Sequence, residues 1–112
     1  MSRRKTEEGS LKQQLLDHLN TLGAVVEPLH TGQGKGPGGY WRTPKTSRGR
    51  PDLVMLFNCL PIAIEVKTKE GNQNENQIEW QMRWIANGGI YWTIRSLDGL
   101  IDNLAALVQS YW

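Results

Sequence analysis

Apolar residues along this chain recur in two periods, and the switches between them mark the elements. Leucines at 11, 15, 16, 19 and 22 form one apolar stripe at helical spacing. They predict a helix from Ser10 to Leu22, with Ser10 and Gln13 as a capping box and Gly23 as its stop. The polar, charged residues 1–9 ahead of it are expected to fray. Ala24 to Pro28 reads as a short strand. Two nearly continuous apolar runs follow, Asp52 to Phe57 and Leu60 to Lys67, separated by Asn58-Cys59. They predict a β-hairpin at the centre of the fold, buried on both faces. A second helix is expected from Glu75 to Ala86, stopped by Gly88-Gly89. A strand at Ile90–Ile94 and a last helix, from Ser96 or Leu97 to about Gln109, complete the order α-β-β-β-α-β-α. Strands on both sides of a helix imply an α/β (α+β-like) fold, a mixed sheet with helices packed on it.

The aromatic positions refine this outline. Trp80 and Trp84 lie one helical turn apart and are expected in the core, as is Trp92. Tyr111 and Trp112 serve either the core or a dimer interface. Between Thr31 and Arg50 lie six glycines and two prolines, which predicts a long, open loop. Its basic residues, Lys35, Arg42, Lys45, Arg48 and Arg50, come with no acidic residue among them, and Tyr40-Trp41 adds an aromatic surface. Such a loop is either a solvated linker or a DNA contact, with cations on phosphates and Trp41 stacking on a base. His30, alone at the loop's start, reads as an ordinary loop residue rather than a general base.

Composition sets the bounds. A chain of 112 residues supports one domain, taken as residues 10–112 behind a flexible 1–9, with the basic Gly-rich loop at 30–50. The net charge of +2 is too mild to identify a partner by itself. A single cysteine, Cys59, excludes an internal disulfide and fits a reducing compartment. The basic start Met-Ser-Arg-Arg-Lys is followed by no apolar stretch, so it does not read as a secretory signal. No run approaches the roughly 20 apolar residues of a membrane helix. The expectation is a soluble, cytoplasmic protein with no membrane partner.

The chemistry sits in the central hairpin. A turn at Asn58-Cys59 places Asp52 opposite Glu65, where Cβ atoms come within about 4.5–5.5 Å. Like charges facing each other are destabilising unless a cation compensates them, and hard cations such as Mg²⁺ take carboxylate oxygens. Strand alternation puts Lys67 on the same face as Glu65. The plainer alternative is a cross-strand ion pair on a half-exposed hairpin.

Arg50-Pro51-Asp52-Leu53 followed by Ile64-Glu65-Val66-Lys67 resembles the signature of the PD-(D/E)XK nucleases. Gly71, Gln77, Trp80, Gly88-Gly89 and Ile94-Arg95-Ser96 resemble the VRR-NUC branch of that superfamily. Glu8-Gly9-Ser10-Leu11 is similar to that branch's opening helix. The resemblance spans about residues 8 to 100. It implies a restriction-endonuclease-like sheet and a divalent-metal endonuclease acting on DNA, often branched DNA. Carried over by position, it implies Asp52 and Glu65 as ligands of Mg²⁺ or Mn²⁺ with the Val66 carbonyl. Lys67 would assist the attacking water, Gln77 would lie beside the site and Glu8 would reach it from the first helix. Gln77 also fits a capping box with Asn74, and Glu8 competes with Glu7 as a first-turn charge favoured by the helix dipole.

The reading is a metal-dependent endonuclease, structure-selective for branched DNA such as four-way (Holliday) junctions. A homodimer is expected, because cutting two strands needs two sites. A nickase or flap nuclease of the same fold is the near alternative. A catalytically silent DNA-binding or assembly module is the alternative from another class.

Overall fold

The computed structural model describes residues 7–29, 33–36, 39–42, 49–67 and 73–111, with backbone only at 33–36 and 39–42. The elements are α1 (Glu7–Thr21), β1 (Val25–Pro28), β2 (Gln33–Gly36), β3 (Gly39–Arg42), β4 (Leu53–Phe57), β5 (Leu60–Val66), α2 (Glu75–Ala86), β6 (Ile90–Ile94) and α3 (Leu97–Tyr111). Four strands form the main sheet in the order β1-β4-β5-β6. The first two pairings are antiparallel, and β5 with β6 is parallel, connected through α2. This is the expected mixed sheet and helix order.

Strand alternation divides the sheet into two faces. Val26, Leu53, Met55, Ile62, Ile64, Val66 and Ile94 form one cluster with Leu15 and Leu19 of α1 and Leu100, Leu104 and Leu107 of α3. Ala63, Glu65, Tyr91 and Thr93 lie on the opposite face, where the register pairs Glu65 with Thr93 and Ala63 with Tyr91. The central β5 is closed on both faces from Ile62 to Val66.

The hairpin has the expected register, with Leu53 opposite Ile64 and Phe57 opposite Leu60. Asn58 and Cys59 turn it with positive φ angles of 48° and 70°, the left-handed pair of a type I′ turn. α1 ends in a Schellman motif. Gly23 has φ 83°, its N–H donates to the Asn20 carbonyl, and the Ala24 N–H donates to the Leu19 carbonyl. Gly88, with φ 93°, ends α2 in the same way, its N–H on the Ile85 carbonyl and the Gly89 N–H on that of Trp84. The second glycine has a different cause. A Cβ on Gly89 would overlap the Trp84 indole, whose Nε1 donates to the Ile90 carbonyl at 2.8 Å.

Three expectations need correction. α1 begins at Glu7, ahead of Ser10, so Ser10 lies inside the helix and caps nothing. The acidic first turn, Glu7 and Glu8, favours the earlier start. Within the expected open loop, Gln33–Gly36 and Gly39–Arg42 pair as antiparallel strands with Gly36 opposite Gly39. Glycine richness hid the strand-favouring Tyr40-Trp41 of β3. Finally, α2 buries no residue completely. Trp80 and Trp84 stack on each other, centroids 5.0 Å apart, and Trp80 tilts against Tyr91 at 6.3 Å instead of entering the core. Trp92 does pack against the core cluster. Among the described residues, no helix is long and apolar enough to cross a membrane.

Candidate active site

The site lies where β4 begins and β5 ends. Asp52 immediately precedes β4, and its Oδ2 accepts the Val66 N–H at 2.8 Å. That bond ties the carboxylate to the end of β5, beside Glu65. Glu65 is 3% exposed and is the buried charged residue among the described ones.

Each oxygen of Glu65 has a different environment. Oε1 accepts from Gln77 Nε2 at 2.9 Å and faces Lys67 Nζ at 3.8 Å. Oε2 is buried and has no hydrogen-bond partner. Burial first, and then the charge of Asp52, push the Glu65 carboxyl up from 4.5 to about 8. As a neutral acid Glu65 can donate to Asp52, which raises it further, while Lys67 pulls it down. Glu8 on α1 is felt at Glu65 as an additional raising charge.

Gln77 serves two purposes at once. Its backbone N–H donates to Asn74 Oδ1 at 2.9 Å and its Oε1 accepts the Asn74 N–H at 3.0 Å, which closes the capping box of α2. The cap occupies the amide oxygen, so the amide nitrogen is left facing Glu65. Gly49 brings α2 this close. A Cβ there would overlap the backbone of Asn76 and Gln77, and its φ of 78° suits glycine.

The structure thus gathers Asp52, Glu65, Lys67 and Gln77 at one place, with Val66 held between them through its N–H. Glu8 is on the helix that approaches the site. Among the described residues, no group of three or more His, Cys, Asp or Glu side chains is gathered for a metal ion. Glu8 therefore does not complete a ligand cluster with the carboxylate pair. Arg50 is half-buried, with an Nε that is shielded and unpaired. Lys35, Trp41 and Arg42 fall on β2 and β3. His30, Lys45, Arg48, Gly71 and Trp112 lie outside the described residues. Tyr111 is exposed near the end of α3.

Sequence reasoning missed two neighbours. Lys12 of α1 brings its Nζ within 3.9 Å of Asp52 Oδ1. Periodicity gave no signal for it, because the approach depends on how α1 crosses the sheet. Tyr91 of β6 accepts from Gln73 Nε2 at 3.0 Å, and burial and then Glu65 raise its phenol's pKa. It shares the Glu65 face through period-2 alternation from Thr93.

The donor set fits a hard cation. Two facing carboxylates, one with a buried oxygen that has no hydrogen-bond partner, offer hard oxygen donors that a divalent cation would take. A scan against protein-family models finds no match, and no curated protein matches by sequence. In solved structures, a chain described as a VRR_NUC domain superposes with a TM-score of 0.64 at 20% identity, over 96% of this chain and 100% of that one. The chain has the fold of a VRR_NUC domain.

Proposed function

We propose that this chain is a divalent-metal-dependent endonuclease of the VRR-NUC type that hydrolyses DNA phosphodiesters. The observation that carries the reading is the unsatisfied Glu65 Oε2, buried beside Asp52 in an otherwise apolar sheet.

Asp52 and Glu65 would hold Mg²⁺ or Mn²⁺, with the Val66 carbonyl as a third oxygen. Bound there, the ion would supply Lewis acidity and a water of lowered pKa. Lys67, 3.8 Å from Glu65 Oε1, would hold a water or a phosphate oxygen beside the pair. Gln77 holds Glu65 Oε1, so that the buried Oε2 is the oxygen left for the ion. The basic residues Lys35, Arg42, Lys45, Arg48 and Arg50, with Trp41, would carry the DNA backbone and an unpaired base.

The finer reading is selectivity for branched DNA such as a four-way junction, by a two-fold homodimer. Cutting paired strands requires two sites. Ile78, Met82 and Ile85 line one exposed stripe of α2, at 45%, 66% and 50% exposure, which supports self-association there. The setting is intracellular, where the exposed, unpaired Cys59 stays reduced.

The test is single-turnover cleavage of linear, nicked, flap and four-way DNA with Mg²⁺ or Mn²⁺. The four-way junction is expected to be cut fastest. Asp52→Ala should slow cutting by about a thousandfold or more, the scale of several kcal/mol of lost transition-state stabilisation. Cleavage of no substrate would favour a silent binding module, and preference for the nicked or flap form would replace the junction reading.

A further inference from the structure

The two lysines of the site occupy different oxygens. Lys67 faces Glu65 Oε1, which Gln77 already holds. Lys12 faces Asp52 Oδ1, while Oδ2 of the same carboxylate is bound by the Val66 N–H. The ion of the proposed function needs the oxygens that backbone and amide donors leave open, Asp52 Oδ1 and Glu65 Oε2. Lys67 can therefore stay when the ion binds, but Lys12 stands at one of the ion's own positions.

The Lys12 contact is weak enough to yield. At 3.9 Å it is longer than a hydrogen bond, and both side chains are 32% exposed. A pair this open contributes little to stability. A long lysine stem anchored on a packed helix lets the ammonium move without moving α1. α1 itself is fixed by Leu15 and Leu19, both fully buried.

We propose that Lys12 is an electrostatic placeholder for the cation at Asp52 Oδ1, and that once displaced it holds a phosphate of the bound DNA strand. The inference rests on the metal-site reading above. In the metal-free protein the ammonium offsets the like-charge cost of Asp52 beside Glu65. In the metal-loaded protein it would face a divalent ion, and a phosphate of the bound strand would give the displaced ammonium a partner beside the site. Lys12 is thus a positioning residue for substrate, recruited only when the ion is present.

The test compares wild type, Lys12→Gln and Lys12→Arg. Mn²⁺ affinity is measured without DNA, and DNA affinity is measured in EDTA and in Ca²⁺, which replaces Mg²⁺ without supporting turnover. Lys12→Gln should tighten Mn²⁺ by about fivefold, because one opposing, half-exposed charge is removed. It should weaken DNA binding in Ca²⁺, lowering the slope of log affinity against log salt by about 0.9. In EDTA its DNA affinity should match wild type. Lys12→Arg should restore DNA affinity in Ca²⁺. Lys12→Met, which keeps the apolar stem, repeats the test if Lys12→Gln folds poorly. Unchanged Mn²⁺ affinity, or an equal DNA penalty with and without Ca²⁺, overturns the exchange while leaving the metal site intact. A wild type that takes up no Mn²⁺ overturns both.

Discussion

Strand β5 turns Ile62, Ile64 and Val66 to one side and Ala63 and Glu65 to the other, and both sets are closed to water. The first side meets leucines from α1 and α3 and has every contact an apolar side chain can use. The second side encloses a carboxylate, a facing carboxylate, two lysines and an amide, and leaves Oε2 unmet. Equal burial therefore has opposite consequences on the two sides. It stabilises the fold through the first and raises the energy of an ionised group in the second. The teaching is that a site can be recognised by burial that local partners do not justify.

Breaking the apolar side should have the largest effect on stability. Ile64 is fully buried between Leu53 and Trp92 in the register. Ile64→Ala removes its packing and leaves a cavity, so denaturant unfolding should show a loss of about 2–5 kcal/mol at any pH.

The polar side should reveal itself through pH. The Glu65 carboxyl is raised from 4.5 to about 8, so the folded state favours its neutral form. The stability it contributes is full below pH 4.5 and is lost as pH rises through about 8. Metal-free wild type should lose a few kcal/mol across that window relative to Glu65→Gln. Parallel pH profiles for the two proteins would mean that Glu65 is not held in an unfavourable environment.

A smaller effect sharpens the comparison from the helix that serves the polar side. Gly89→Ala forces a Cβ into the Trp84 indole, and about 1–3 kcal/mol of overpacking strain is expected in thermal unfolding. Because α2 also carries Gln77, this variant should lose more activity than Ile64→Ala does per unit of lost stability. Equal losses per unit would show that α2 does not position Glu65.

Much of this was legible in the chain. Asn58-Cys59 and two apolar runs specify one register, and that register alone sets Asp52 beside Glu65. Asn74 and Gln77 announce the start of α2, and a cap whose amide oxygen is occupied has its nitrogen to give. Other features depend on how elements cross, which periodicity does not encode. Lys12 reads as a solvated helix position until α1 is laid against the sheet. Trp80 and Trp84 read as core because their spacing is helical, yet α2 docks at the sheet's edge near β6 and they stack on each other. The early start of α1 was hidden by Gly9, a residue that costs a helix about 1 kcal/mol but does not end it.

The central claim is that Asp52 and Glu65 form a cation site completed by ionisation of Glu65. Calorimetric titration of Mn²⁺ into the protein, without DNA, at several pH values from 6 to 9 tests it most directly. The account predicts saturable binding by wild type that tightens with rising pH and levels off above about 8, where Glu65 no longer has a proton to release. Asp52→Ala and Glu65→Gln should both lose that binding while remaining folded. Equal Mn²⁺ binding by all three proteins, or a wild-type affinity indifferent to pH across this range, would contradict it.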